Sequence, residues 1–290
     1  MTAATSTKTL LDKYIDAVRF KLFQPQIRAI FPQIDNQDRR VFALQRFVAA
    51  LRDPRRGQTW IDSRWAMTQA EFQEWQDSPD FDVQSRELRS IRRRFSAANP
   101  RHVLRAGSRF RSLSTQIDNW NKNHTVGVHA PVALKRAEKE LKKDGGYPDL
   151  GPYLHEASGL LSHTVLPGAG LMSLLPLGFP GTSGEDPDAE TIRLRSAAIE
   201  KFVTWLAAQR NGKPSVTVST PGLSNHGVGQ AVDFKIFEGG RRIRGASNPT
   251  EWRSSGWAER LADAVQPSQF FSGPLAVPDE PWHWTFDPTP

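Results

Sequence analysis

The chain has 290 residues, 38% of them hydrophobic and 24% charged, with a formal net charge of +7 and no cysteine. This length buries a full core, as one large domain or as a catalytic domain with a smaller companion, and the composition excludes a disordered chain. Without cysteine, disulfides and thiolate zinc sites are excluded, so any metal must be held by His, Asp or Glu.

The positive balance suits polyanionic surroundings such as nucleic acid, anionic lipid or acidic wall polymer, or it serves solubility alone. The opening stretch "MTAATSTKTLLDKYIDAVRF" lacks a continuous apolar segment behind a basic start, so no secretory signal is expected. The longest apolar region, 159–181, is broken by Pro167, Pro176 and several glycines, and its uninterrupted runs fall short of the ~20 residues that span a bilayer. A soluble chain made in the cytoplasm is the expectation.

Residues 1–95 read as mainly helical. Leu10, Leu11, Ile15, Val18 and Leu22 recur at helical spacing, as do Val41, Leu44, Phe47, Val48 and Leu51. Thr68 followed by Glu71 has the form of a capping box before "AEFQEWQ". A basic helix over 85–98 ends before Asn99 and Pro100, and its arginines form a solvated face or meet a polyanion.

From there the pattern changes. The stretch 102–108 reads as a short strand entering a turn, 112–123 as an amphipathic helix, and 130–146 as a helix stopping at a glycine pair. The Gly/Pro-rich stretch 145–187 reads as loop or insertion, and 188–212 as a helix with acidic residues at its start and Gly212 at its end. Strands are expected at 214–220, 230–237 and 281–286, with a helix over 250–265. The fold class expected is α+β: a small antiparallel sheet flanked by helices, in a domain over 96–290, behind a helical N-terminal region of unknown role.

The segment "SNHGVGQAVDF" (224–234) sets His226 and Asp233 seven residues apart with little bulk between them. In a strand from Gln230, Ala231, Asp233 and Lys235 share one face while Val232 and Phe234 turn into a core. Gly227 and Gly229 let the chain fold back, so His226 and Asp233 lie on adjacent pieces of chain as plausible metal ligands. A catalytic zinc takes three protein ligands and keeps a position for water. The third candidate is His283 in "DEPWHWTF", expected on an open face between two buried indoles. Glu280 supplies a carboxylate able to move a proton, provided a kink at Pro281 turns it to the side of His283. Taken singly, a strand histidine is more often structural and a Trp-His-Trp run more often core.

Taken together, these residues resemble the VanY-type D-alanyl-D-alanine carboxypeptidases and related zinc peptidases of the lysostaphin and hedgehog group. "SNHGVGQAVDF" fits the SxHxxGxAxD signature, and "EPWHW" fits ExxH. "GSRFRSLSTQ" (107–116) is similar to the family's arginine segment, with Arg109 and Phe110 where a tyrosine is usual before the arginine. The resemblance covers roughly 100–290. It implies zinc on His226, Asp233 and His283, Glu280 as proton shuttle, and Arg111 on the substrate's carboxylate or polarised carbonyl. It also implies that Ser112, Gln116 and Ser224 lie at the substrate pocket. The gap between Arg111 and His226 is longer than is usual, which implies an insertion, largely 130–190, forming a lid or a wall of the groove.

The substrate implied is a peptidoglycan stem or cross-bridge peptide containing D-amino acids, cut by carboxypeptidase or endopeptidase action. Such a substrate lies outside the cytoplasm. The chain is then a phage lysin or a toxin carried by a secretion apparatus, the latter with an immunity protein as partner. The alternative is a non-catalytic zinc module that binds wall polymer or nucleic acid, which would have no need of the ExxH glutamate or the arginine segment.

Overall fold

The computed structural model describes residues 9–143, 146–150, 189–209, 216–246, 248–276 and 278–289. Most of the insertion expected at 130–190 therefore lies outside the described residues, as do 214–215 of one expected strand. The fold is α+β, with a helical N-terminal region and a five-stranded antiparallel sheet. Among the described residues no helix is long and apolar enough to cross a membrane.

The described residues divide into two compact units, one within Met1–Ala49 and His129–Gly212, the other within Ala50–Val128 and Lys213–Pro290. The division expected near residue 95 does not coincide with this one. In the first unit, helix α1 (Leu10–Leu22) opens on a capping box of Thr9 with Asp12, and α2 (Pro25–Arg28) follows. The units exchange chain within α3 (Gln37–Leu51) and within α8 (His124–Leu141), and α9 (Ala189–Ala208) belongs wholly to the first. Tyr14 of α1 anchors this unit's aromatic core, meeting Tyr147 and Phe202 edge-on at 5.4 and 5.5 Å while its hydroxyl donates to the Pro148 carbonyl at 2.9 Å. Buried tyrosine thus keeps its polar end satisfied.

The second unit contains α4 (Gly57–Ser63), α5 (Gln69–Gln76), α6 (Pro79–Ala98), β1 (His102–Ala106) and α7 (Leu113–Lys122). It continues with β2 (Ala231–Glu238), β3 (Arg241–Arg244), α10 (Pro249–Ser254), α11 (Trp257–Val265), β4 (Phe271–Ser272) and β5 (His283–Phe286). Thr68 and Glu71 form the expected reciprocal cap on α5. Ser78 caps α6, Pro79 fills its first turn, and the helix stops at Asn99. The long strand β2 is the spine of the sheet. One edge pairs with β1 over 234–238; the other pairs with β5 over 231–233 and with β3 over 236–238.

Alternation along β2 sends Val232, Phe234 and Ile236 into a core shared with Leu104, Trp282, Trp284 and Phe286, and with Leu88, Ile91 and Phe95 of α6 and Leu261 and Val265 of α11. Each such buried side chain contributes about 1.5–3 kcal/mol of transfer free energy. The opposite face of β2 carries Asp233, Lys235 and Phe237.

Three elements differ from expectation. The described part of 214–220 is not a strand: Thr217 bonds instead to the side chains of Asn123 and Thr125, its N–H donating to Thr125 Oγ1 at 3.2 Å, so its N–H and hydroxyl are satisfied without a sheet partner. Helix α8 begins at His124 rather than 130, because Asn123 Oδ1 caps the Val126 N–H at 3.0 Å. The helix expected over 250–265 is two helices, broken at Gly256 with φ +70°.

Phe234→Ala is expected to lower the free energy of unfolding by about 3–5 kcal/mol, measured by urea denaturation. Val103→Ala, on the half-exposed face of β1, is expected to change it by no more than about 0.5 kcal/mol.

Candidate metal site

The β2–β5 ladder places Asp233 directly opposite His283, both on the face turned away from the core. His283 Nδ1 lies 2.9 Å from Asp233 Oδ1. His226 comes from a 3-10 turn, Asn225–Val228, and its Nε2 lies 3.3 Å from Asp233 Oδ2. One ligand atom from each residue lies within 4.8 Å of the others, and all three residues are buried. Ligands about 2.0–2.2 Å from a tetrahedral ion stand roughly 3.3–3.5 Å apart, so this cluster is a group able to hold a metal ion. The imidazoles are not on an open face: His226 is 2% and His283 8% exposed.

Glu280 reaches the cluster because Glu280–His283 forms a turn, the His283 N–H donating to the Glu280 carbonyl at 2.9 Å. Strict alternation does not apply across that turn, and Glu280 Oε2 comes within 3.7 Å of His283 Nδ1. Burial raises the Glu280 carboxyl to about 7, with Asp233 pushing the same way and His283 and Arg111 opposing. Burial also pushes Asp233 up, but hydrogen bonds and charge from His226 and His283 outweigh it and hold the carboxylate well below its usual range. Burial lowers His226, against the opposing pull of Asp233.

Arg111 also lies in the cluster. Its Nη2 donates to Asp233 Oδ2 at 3.2 Å, and its backbone N–H donates to the His226 carbonyl at 2.9 Å. The guanidinium therefore meets the Asp233 carboxylate directly.

The other three residues picked out by sequence brace this arrangement. Gln116, 3% exposed, donates to the Arg111 carbonyl at 2.9 Å and accepts from the Gly222 N–H at 3.0 Å, tying the arginine segment to the approach to His226. Ser224, also buried, accepts from the His226 N–H at 3.3 Å and so opens the 3-10 turn. Ser112 caps α7 through the Thr115 N–H, also at 3.3 Å, fixing the helix that carries Gln116. Their bonds go to the protein's own backbone and neighbouring hydroxyls, where the resemblance implied pocket lining.

Further residues hold the site and lie in the N-terminal stretch to which sequence assigned no role. Gln84 donates to the Gly229 carbonyl at 2.7 Å, Arg64 bonds to Asn225 Oδ1, and the Met67 N–H donates to the Gly227 carbonyl at 2.8 Å. Phe110 stacks on Phe72 of α5 with ring centroids 3.8 Å apart, and Arg109 lies over Phe81, 4.1 Å from its centroid. The residues that replace the expected tyrosine thus fasten the Arg111 segment to α5 and α6. Two glycines are needed for close approach. A Cβ on Gly227 would stand 2.5 Å from Gln116 Nε2, and one on Gly229, at φ +71°, 2.7 Å from the Trp75 ring. None of these contacts leaves a local periodic signal; only the small residues of 224–229 hinted at crowding.

A ligating imidazole commonly donates its outer N–H to an acceptor that fixes the ring. Nδ1 of His226 is buried with no such partner among the described residues, so the ring's orientation rests on the turn, on packing and on the contact of Nε2 with Asp233. The chain matches no protein-family model, no curated protein and no solved structure.

Gln116→Leu is expected to weaken divalent-metal affinity about tenfold while leaving the protein folded, measured by competition with a chromophoric chelator.

Proposed function

We propose that the chain is a zinc-dependent peptidase that hydrolyses peptidoglycan peptides containing D-amino acids, as a D,D-carboxypeptidase or an endopeptidase. The observation that carries this reading is the meeting of His226, Asp233 and His283 within 4.8 Å, with the Glu280 carboxylate 3.7 Å from one imidazole. Two nitrogens and one carboxylate oxygen suit zinc, and in the absence of cysteine no thiolate competes. The resemblance of these four residues, with Arg111, to the VanY-type pattern supplies the substrate class.

Zinc held by His226, Asp233 and His283 supplies Lewis acidity at neutral pH. The chain's own residues have separate tasks. Glu280, held near neutrality by burial, takes a proton from the attacking water and returns it to the leaving amine, so the carboxylate is regenerated with each turnover. Arg111 binds the terminal carboxylate of the peptide or the negative oxygen that develops on the attacked carbonyl. This requires its guanidinium to turn from Asp233, a movement of a side chain that is only partly buried. Gln116 and Ser224 keep the arginine segment and the His226 turn in register.

On this reading the chain acts on the outer side of the cytoplasmic membrane, reached by lysis as a phage lysin or by a secretion apparatus as a toxin, the toxin paired with an immunity protein in the producing cell.

His226→Ala is expected to lose both bound zinc and hydrolysis of purified muropeptides, read by metal analysis and mass spectrometry. Glu280→Gln is expected to keep zinc and lose about 10²–10⁴-fold in kcat. Undiminished turnover in that variant removes Glu280 from the mechanism, and chelator-resistant cleavage by the unaltered chain removes the metal.

A further inference from the structure

The sheet face that carries Asp233 and His283 does not end at the metal site. Two residues along β2, Lys235 lies on the same face, directly opposite Arg105 of β1; two further on, Phe237 stands opposite Val103 and, on the other edge, Arg242 of β3. The alternate residues, Leu104 and Ile236, are buried in the core. Lys235 is half-buried, and Arg105 and Arg242 are exposed.

Among the described residues, none of these three cations has an acidic partner within ion-pair distance. Like charges directly opposite across a ladder disfavour each other, and an anion bound between them would offset this. Both side chains are held close to the sheet. Arg105 lies 4.5 Å from the Phe237 ring centroid. Lys235 folds over Gly107, where an added Cβ would come within 3.0 Å of its Cε and 3.5 Å of its Nζ. Gly107 in turn donates to the Asp233 carbonyl at 2.6 Å and opens the segment that delivers Arg111. The ammonium thus lies beside Gly107, which is bonded to the backbone of Asp233.

We propose that Lys235 and Arg105 form a carboxylate-binding subsite next to the metal site, selecting peptides with an acidic side chain near the hydrolysed bond. The spacing of Asp233 and Lys235, two strand residues or about 7 Å, corresponds to about two residues of extended substrate. The occupant is an acidic peptide: the face is continuous with the metal site, and its unpaired charge is complementary to carboxylate. The identification of the occupant as a substrate rests on the peptidase reading; the subsite itself does not.

The test uses the full chain loaded with zinc and a set of short synthetic peptides containing D-Ala-D-Ala. Each peptide carries one glutamate, within three residues on either side of that pair, and is matched with its glutamine counterpart. Equilibrium binding is measured by calorimetry and cleavage by mass spectrometry. At one position the glutamate peptide is expected to bind about tenfold more tightly than its counterpart, the difference shrinking as salt is raised. The double variant Lys235→Gln, Arg105→Gln is expected to bind that pair equally, with an unchanged unfolding midpoint, while Arg241→Gln, opposite Glu238 at the strand end, keeps the preference. No preference at any position, or a preference that survives in the double variant, overturns the subsite. Preferential binding without cleavage leaves the subsite standing and counts against the peptidase reading alone.

Discussion

The second unit is organised around one buried carboxylate. Asp233 is 8% exposed, and an isolated ionised carboxylate at that depth is costly unless it is paired and hydrogen-bonded. Here the compensation comes from three directions: His283 across the ladder, His226 from the 3-10 turn, and Arg111 from the segment after β1. Each partner arrives on a different stretch of chain, so the charge cannot be satisfied until the sheet, the turn and the arginine segment have all docked. His226 and His283 serve both the need to neutralise Asp233 and the geometry of a group that could hold a metal ion.

That docking is steric as well as electrostatic. Gly222, Gly227 and Gly229 bring the backbone of 222–229 against Trp65, Ala66, Gln116 and Trp75 at distances that leave no room for a side chain. Trp65, Ala66 and Trp75 therefore wall in the turn that carries His226. The aromatic pair Phe72/Phe110 and the Arg109/Phe81 contact extend that wall to the arginine segment. A mutation at Trp65 or Trp75 would act on ligand geometry without touching a ligand, through the turn that aims His226.

Much of this was legible in sequence where local rules decide. The alternation in "QAVDF" and "WHW" placed Asp233 and His283 on one face and the indoles on the other, and the Thr68/Glu71 box fixed the start of α5. The legible part stopped where long-range contacts decide. The alternating valines of 214–220 read as a strand, yet the described part bonds to side chains at the start of α8. Glu280 looked misdirected because period-two reasoning was carried through a turn. The bracing by residues 64–84 was invisible, since a hydrogen bond such as Gln84 to Gly229 spans 145 positions and leaves no pattern in either segment.

The register of β5 on β2 couples stability to the site. Because side chains alternate, a slip of one residue would carry Trp282 and Trp284 out of the core and turn His283 into it. The indoles would lose their burial at the same moment that Asp233 lost its partner. Both penalties oppose the slip together, and neither needs a bound ion to operate. The ligand atoms can thus be held near one another by the packing of the opposite face of the sheet before any metal arrives, which lowers the ordering cost that binding would otherwise carry.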